Sequence, residues 1–109
     1  MTFKQNKYKA VKTTVDGVTF HSKKEASRYV DLMNLQKSGY ISNLRLQPEF
    51  PLMVNGKKIG KYVADFSYIR NGIRIIEDVK SKATITPVYR LKKKILETYE
   101  PPVVITEFF

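Results

Sequence analysis

Hydrophobic spacing along the chain alternates between the helical period of roughly 3.6 residues and the strand period of 2, and the changes mark out its elements. From Ser22 to Ser38 the apolar positions Ala26, Tyr29, Val30 and Met33 recur at helical spacing with Leu32 beside them, and Gly39 follows. Ser22 suits the N-cap, and Ser22-x-x-Glu25 has the form of a capping box. This helix should keep Lys23, Lys24, Arg28 and Lys37 outside. Ile41 to Val54 alternates as one strand, with Leu44, Leu46 and Pro48 on one face and Asn43, Arg45, Gln47 and Glu49 on the other. Pro48 and Pro51 argue for an edge position or bulges in it. Asn55-Gly56 turns the chain into a second β-prone region, Lys61 to Lys82, which is itself folded at Asn71-Gly72. The three runs predict an antiparallel meander. Thr86-Pro87 opens a second helix, N-cap then first turn, running to about Tyr99 with Val88, Leu91, Ile95 and Tyr99 as its buried stripe. Val103 to Phe109 is a last strand, and after a crossover helix it should pair in parallel. Upstream, Asp16-Gly17 between Thr13 and Phe20 predicts a small hairpin.

The Asn71-Gly72 turn sets a register. With a two-residue loop, Arg70 faces Ile73, and counting down both strands brings Asp65 opposite Asp78. Directly opposed residues share a face, with Cβ atoms roughly 4.5–5.5 Å apart. Lys80 alternates onto that face as well. Two opposed carboxylates repel, so one holds a proton unless a cation lies between them. Asp is also scarce in strands. The plain alternative is a solvated hairpin face of mixed charge. Glu77 falls on the other face, and only a one-residue bulge would exchange it with Asp78.

Charge sharpens this picture. The 109 residues carry 20 Lys and Arg against 10 Asp and Glu, a net charge of +10. Such a balance favours a polyanion, nucleic acid being the usual one. Yet Asp65, Glu77 and Asp78 all fall in the central hairpin, where a plain phosphate-binding surface has no need of them. Without cysteine, disulfides, thiolate zinc sites and thiol nucleophiles are excluded. No run of about 18 apolar residues exists to span a bilayer, and the N-terminus has no signal-peptide core; the expected compartment is the cytoplasm. Residues 1–12, with Lys4, Lys7, Lys9 and Lys12 and no acid, form a basic arm that either tracks a phosphate backbone or is a solvated end, and 13–109 form one domain. His21 precedes the first helix and is read as a surface residue.

Asp65, followed beyond the turn by Asp78-Val79-Lys80, resembles the Asp…(Asp/Glu)-x-Lys signature of the PD-(D/E)XK nuclease superfamily. The segments FHSKKEASRY, ISNLRLQPEF, YVADFSY and IIEDVKSK extend the likeness to a small phage-encoded branch, similar in pattern to Holliday-junction resolvases. The resemblance implies an α+β fold, a restriction-endonuclease-like α-β-β-β-α-β core with a mixed sheet flanked by helices. It implies Mg²⁺ or Mn²⁺ held by Glu25, Asp65, Asp78 and the Val79 carbonyl, with Lys80 positioning or activating the attacking water. For Glu25 the capping role stands beside the metal role. The resemblance also implies branched DNA as substrate, in recombination or packaging, and a homodimer to make two symmetric cuts. Gln47 in LQPEF corresponds to a glutamine near the site in such nucleases, though an exposed strand position explains it as well. Lys23, Lys24, Lys82, Arg90, Lys93 and Lys94 are the expected DNA-binding residues; a charge run on a helix is otherwise a solvated face. The competing class is a non-catalytic basic nucleic-acid-binding module, for which charge and aromatics suffice. A protein that inhibits or recruits a host factor is a third option that no residue favours.

Overall fold

A computed structural model describes residues 12–109. The expected basic arm lies, apart from Lys12, outside the described residues. The elements are β1 (Thr13–Val15), β2 (Val18–Phe20), α1 (Lys23–Lys37), β3 (Ser42–Leu46), β4 (Glu49–Val54), β5 (Lys57–Val63), β6 (Phe66–Arg70), β7 (Ile73–Val79), α2 (Pro87–Glu97) and β8 (Ile105–Phe108). The fold is α+β. A mixed four-stranded sheet, order β3-β6-β7-β8, lies between the two helices, with β8 parallel to β7 as the crossover requires. The hairpin has the expected register, Arg70 opposite Ile73, and Asn71 and Gly72 take φ of 52° and 75°, the left-handed pair that a two-residue turn needs.

Alternation along β6 and β7 sorts side chains to two cores. Phe66, Tyr68, Ile75 and Val79 pack under α1 with Phe20, Ala26, Tyr29 and Leu32. Ile76 faces the other way, into Leu52, Tyr62, Ala64, Tyr89, Leu96 and Ile105 under α2. Each helix starts at its expected cap: Ser22 Oγ accepts from Glu25 N–H and Thr86 Oγ1 from Tyr89 N–H.

Four expectations are corrected. The strand expected over Ile41–Val54 is two strands, because Pro48 offers no N–H and Gln47 takes a left-handed φ of 52°. Its partner breaks at the same level, between Val63 and Phe66, so the meander bends as a pair. Gln47 N–H donates to the Asp65 carbonyl and Ala64 N–H to the Pro48 carbonyl across the bend, both at 3.0 Å. β4 and β5 thereby leave the main sheet and fold over the α2 side. The stripe expected on α2 is rotated: Val88 and Leu91 are 61% and 60% exposed, while Tyr89 and Leu96 are buried and Lys92 and Lys93 half-buried. Tyr89 turns inward because its hydroxyl has a partner there, Glu107 Oε2 at 2.7 Å. On α1, Val30 is exposed, and Leu32 is the fully buried residue. Arg28, expected outside, reaches through the helix–sheet interface to Glu77.

That last contact explains Glu77. It is 1% exposed, and Arg28 grips it by Nε to Oε2 at 2.7 Å and Nη2 to Oε1 at 2.9 Å, with the Tyr68 hydroxyl on Oε1 at 2.8 Å. The guanidinium lies 4.0 Å from the Phe108 ring centroid. Glu77 is therefore saturated on the α1 side and does not exchange with Asp78. Removing one member of a buried pair strands the other charge, at about 3–5 kcal/mol. Glu77→Ala should lose about that much in urea unfolding, and the double variant Arg28→Met/Glu77→Leu should recover most of it. Equal losses in the single and double variants would contradict this role.

Candidate functional site

The site begins where the β6–β7 ladder ends. Its last backbone pair at that end is Phe66 with Glu77. One residue on, β5 has already bent away, and the opposed Asp65 and Asp78 are no longer ladder partners in the sense their register predicts. Their side chains take over. Asp78 Oδ1 accepts the Asp65 N–H at 2.9 Å, and Asp65 Oδ2 accepts the Val79 N–H at 2.8 Å. Each carboxylate thus satisfies a backbone donor that the fork would otherwise orphan. A carboxylate offers about four acceptor directions, so each retains capacity beyond this bond.

Glu25 joins from the first turn of α1. It is 6% exposed and lines the same cleft as Asp65 and Asp78, near enough for the Asp65 charge to act on it. Its backbone completes half of a capping box, yet its side chain is turned to the acidic site. Burial, then the charge of Asp65, pushes the Glu25 carboxyl up to about 7. Burial raises Asp78 to about 6 against the opposing pull of Lys80 and the Asp65 N–H, and it raises Asp65 against the Val79 N–H and Lys80.

Lys80 is held at the edge of this cluster. Its backbone N–H donates to the Phe108 carbonyl at 2.7 Å, which continues the β7–β8 pairing by one residue. Its ammonium stands 3.8 Å from Asp78 Oδ2 and 3.7 Å above the Tyr89 ring centroid. Glu107 fixes that ring through its hydroxyl and is itself paired with Lys93 at 3.2 Å. The proton of Tyr89 is held tightly, its pKa raised by burial and then by Glu107.

Glu25, Asp65, Asp78, Val79 and Lys80 all line one cleft of about 710 Å³. Of the expected DNA-binding residues, Lys24 lies beside it, Nζ donating to the Lys80 carbonyl at 2.9 Å. Gln47 acts through its backbone, holding the bend at Asp65. Lys23, Lys82, Arg90 and Lys94 are exposed and Lys93 is tied to Glu107; none lines the cleft. Besides Lys80, the lysines that do are Lys61 and Lys92, together with His21, Tyr62 and Tyr89. Sequence reading missed Tyr89 and Lys92 because they belong to the less apolar of two overlapping stripes on α2. Tyr62 was legible only as a strand aromatic.

Among the described residues no three His, Cys, Asp or Glu side chains form a ready metal cage. The donor chemistry nonetheless suits a hard divalent cation: the carboxylates of Glu25, Asp65 and Asp78 line one cleft, where burial raises the pKa of each. The crowding carries a linkage. Glu25 and Asp78 have folded-state pKa values above their ordinary ones, so the fold binds extra protons between about pH 4.5 and 7 and loses stability as pH rises through that window. Glu25→Gln should flatten the fall in unfolding free energy from pH 5 to pH 8 by about 1–3 kcal/mol. An unchanged slope would mean that the carboxyls do not meet.

Comparison with curated proteins and with solved structures gives no match. A family model does match, over residues 5–106, nearly the whole chain. The chain belongs to that family, described as Protein of unknown function (DUF1064).

Proposed function

We propose that this chain is a metal-dependent endonuclease that hydrolyses DNA phosphodiester bonds. The observation that carries the reading is the meeting of Glu25, Asp65 and Asp78 in one cleft with Lys80, in a chain of net charge +10. A carboxylate cluster repels a bare phosphate, so its presence inside a basic protein calls for a cation between the two. Glu25, Asp65, Asp78 and the Val79 carbonyl would hold Mg²⁺ or Mn²⁺, which when bound polarises the scissile phosphate and acidifies bound water. The chain's own share is positional. Asp65 and Asp78 are locked by backbone N–H groups, so their free oxygens present a fixed edge. Lys80 brings a positive charge to the same edge, suited to orienting water or to offsetting charge that develops on phosphate. Tyr89 keeps that ammonium in place.

Branched DNA is the proposed substrate class, and a homodimer the proposed assembly, on the resemblance of the motif segments to junction-cutting enzymes. Action on such DNA belongs in the cytoplasm, that of the bacterial host where the gene is carried by a phage. No helix among the described residues is long and apolar enough to cross a membrane. The competing reading, a basic module that binds without cutting, draws on the exposed Lys23, Lys82, Arg90 and Lys94.

A nicking assay on duplex and four-way-junction DNA with Mg²⁺ separates the two. The wild-type protein should cut, and Asp78→Asn and Lys80→Ala should each lose about 10²- to 10⁴-fold in rate while still binding DNA. Metal-independent, salt-sensitive binding with no cleavage would support the binding module; cleavage that survives both substitutions would remove this site from the chemistry.

A further inference from the structure

Beyond the carboxylates the cleft continues between β5 and the start of α2, with Lys80 at the junction, over the Tyr89 ring. Its walls there are Val63 and Val88, which remain 42% and 61% exposed. Tyr62 and Tyr89 form the floor, their rings 6.2 Å apart. Lys61 and Lys92 edge it, and Lys92 reaches across from α2 so that Nζ donates to the Lys61 carbonyl at 3.3 Å.

The floor has one unusual atom. Among the described residues the Tyr62 hydroxyl is the buried side-chain polar atom left without a hydrogen-bond partner. The residue is 5% exposed. Its neighbour Tyr89 has the opposite status, its hydroxyl satisfied by Glu107. A buried hydroxyl with nothing to bind lowers stability, and such groups call for a specific explanation.

We infer that this arm of the cleft is a subsite for one unpaired nucleotide, whose base lies against Val63 and Val88 and hydrogen bonds to the Tyr62 hydroxyl while its phosphates meet Lys61 and Lys92. The inference rests on the proposed action on DNA and adds to it a reason for structure selectivity. Apolar walls suit the face of a base, and two lysines at the rim suit its phosphates. A metabolite without negative charge would make no use of those lysines. A base stacked and paired in a duplex is out of reach of such a recess, so the nucleotide must be unpaired or extruded. The position beside Asp65 and Asp78 makes this the nucleotide flanking the phosphate to be cut.

The test is binding without cleavage, in EDTA, of equal-length fluorescent oligonucleotides: blunt duplex, duplex with one unpaired nucleotide at a nick, and single strand. The wild-type protein should prefer the two forms with an unpaired nucleotide by about 10-fold or more. Val88→Asp, a change at an exposed position, should abolish that preference, whereas Ile73→Asp at the distant hairpin turn should keep it. Tyr62→Phe should weaken binding of the unpaired forms about 3- to 10-fold and raise the melting temperature of the free protein, since it removes an unsatisfied buried group. Equal affinity for all three DNAs, or a preference untouched by Val88→Asp, would overturn the subsite. A Tyr62→Phe protein that is stabilised but binds as before would show that no ligand group reaches the hydroxyl, and would overturn its role. Because no step needs catalysis, the subsite can stand where nicking fails, and nicking can stand where the preference is absent.

Discussion

The arrangement depends on two reciprocal hydrogen bonds at a fork: Asp78 takes the N–H of Asp65, and Asp65 takes the N–H of Val79. Where two strands part, backbone donors lose their partners, and leaving them bare inside the protein would cost free energy. Two short acidic side chains supply the missing acceptors. The same bonds fix the carboxylates in direction, so a requirement of the backbone becomes a rigid acidic edge. The consequence is electrostatic. Three carboxyls in a poorly solvated place resist ionisation, and the raised values of Glu25 and Asp78 record that strain.

The fork exists because the meander bends. Pro48 and the left-handed Gln47 break one strand, and its partner breaks at the same level, carrying β4 and β5 off the sheet toward α2. Opening the ladder there creates the cleft and gives Glu25 a way in from the start of α1. On the opposite face the Glu77–Arg28–Tyr68 cluster ties α1 to β7. One strand thus carries two adjacent acids with separate fates: Glu77, saturated and structural, and Asp78, held on one side and open on the other.

Much of this was legible in the sequence because it rests on short-range rules. Asn71-Gly72 fixed the hairpin register, and Ser22 and Thr86-Pro87 marked both helix starts, since turns and caps are decided by a few neighbouring residues. The placement of Asp65, Asp78 and Lys80 followed from that register. What the sequence concealed depends on tertiary partners. The bend at Gln47–Pro48 read only as a proline in a strand. The rotation of α2 followed from Tyr89 finding Glu107, so the most apolar stripe was not the buried one. Arg28 looked like a surface charge until Glu77 appeared beneath it. The cleft lysines, Lys61 and Lys92, carry no signal that separates them from the other basic residues.

If Glu25, Asp65 and Asp78 hold a divalent ion as proposed, Mn²⁺ should settle among them. Anomalous diffraction from crystals grown with Mn²⁺ locates the ion. A manganese peak enclosed by those three carboxylates is expected. A map with no peak there, or with manganese bound only at surface carboxylates such as Glu49 or Glu97, would contradict it.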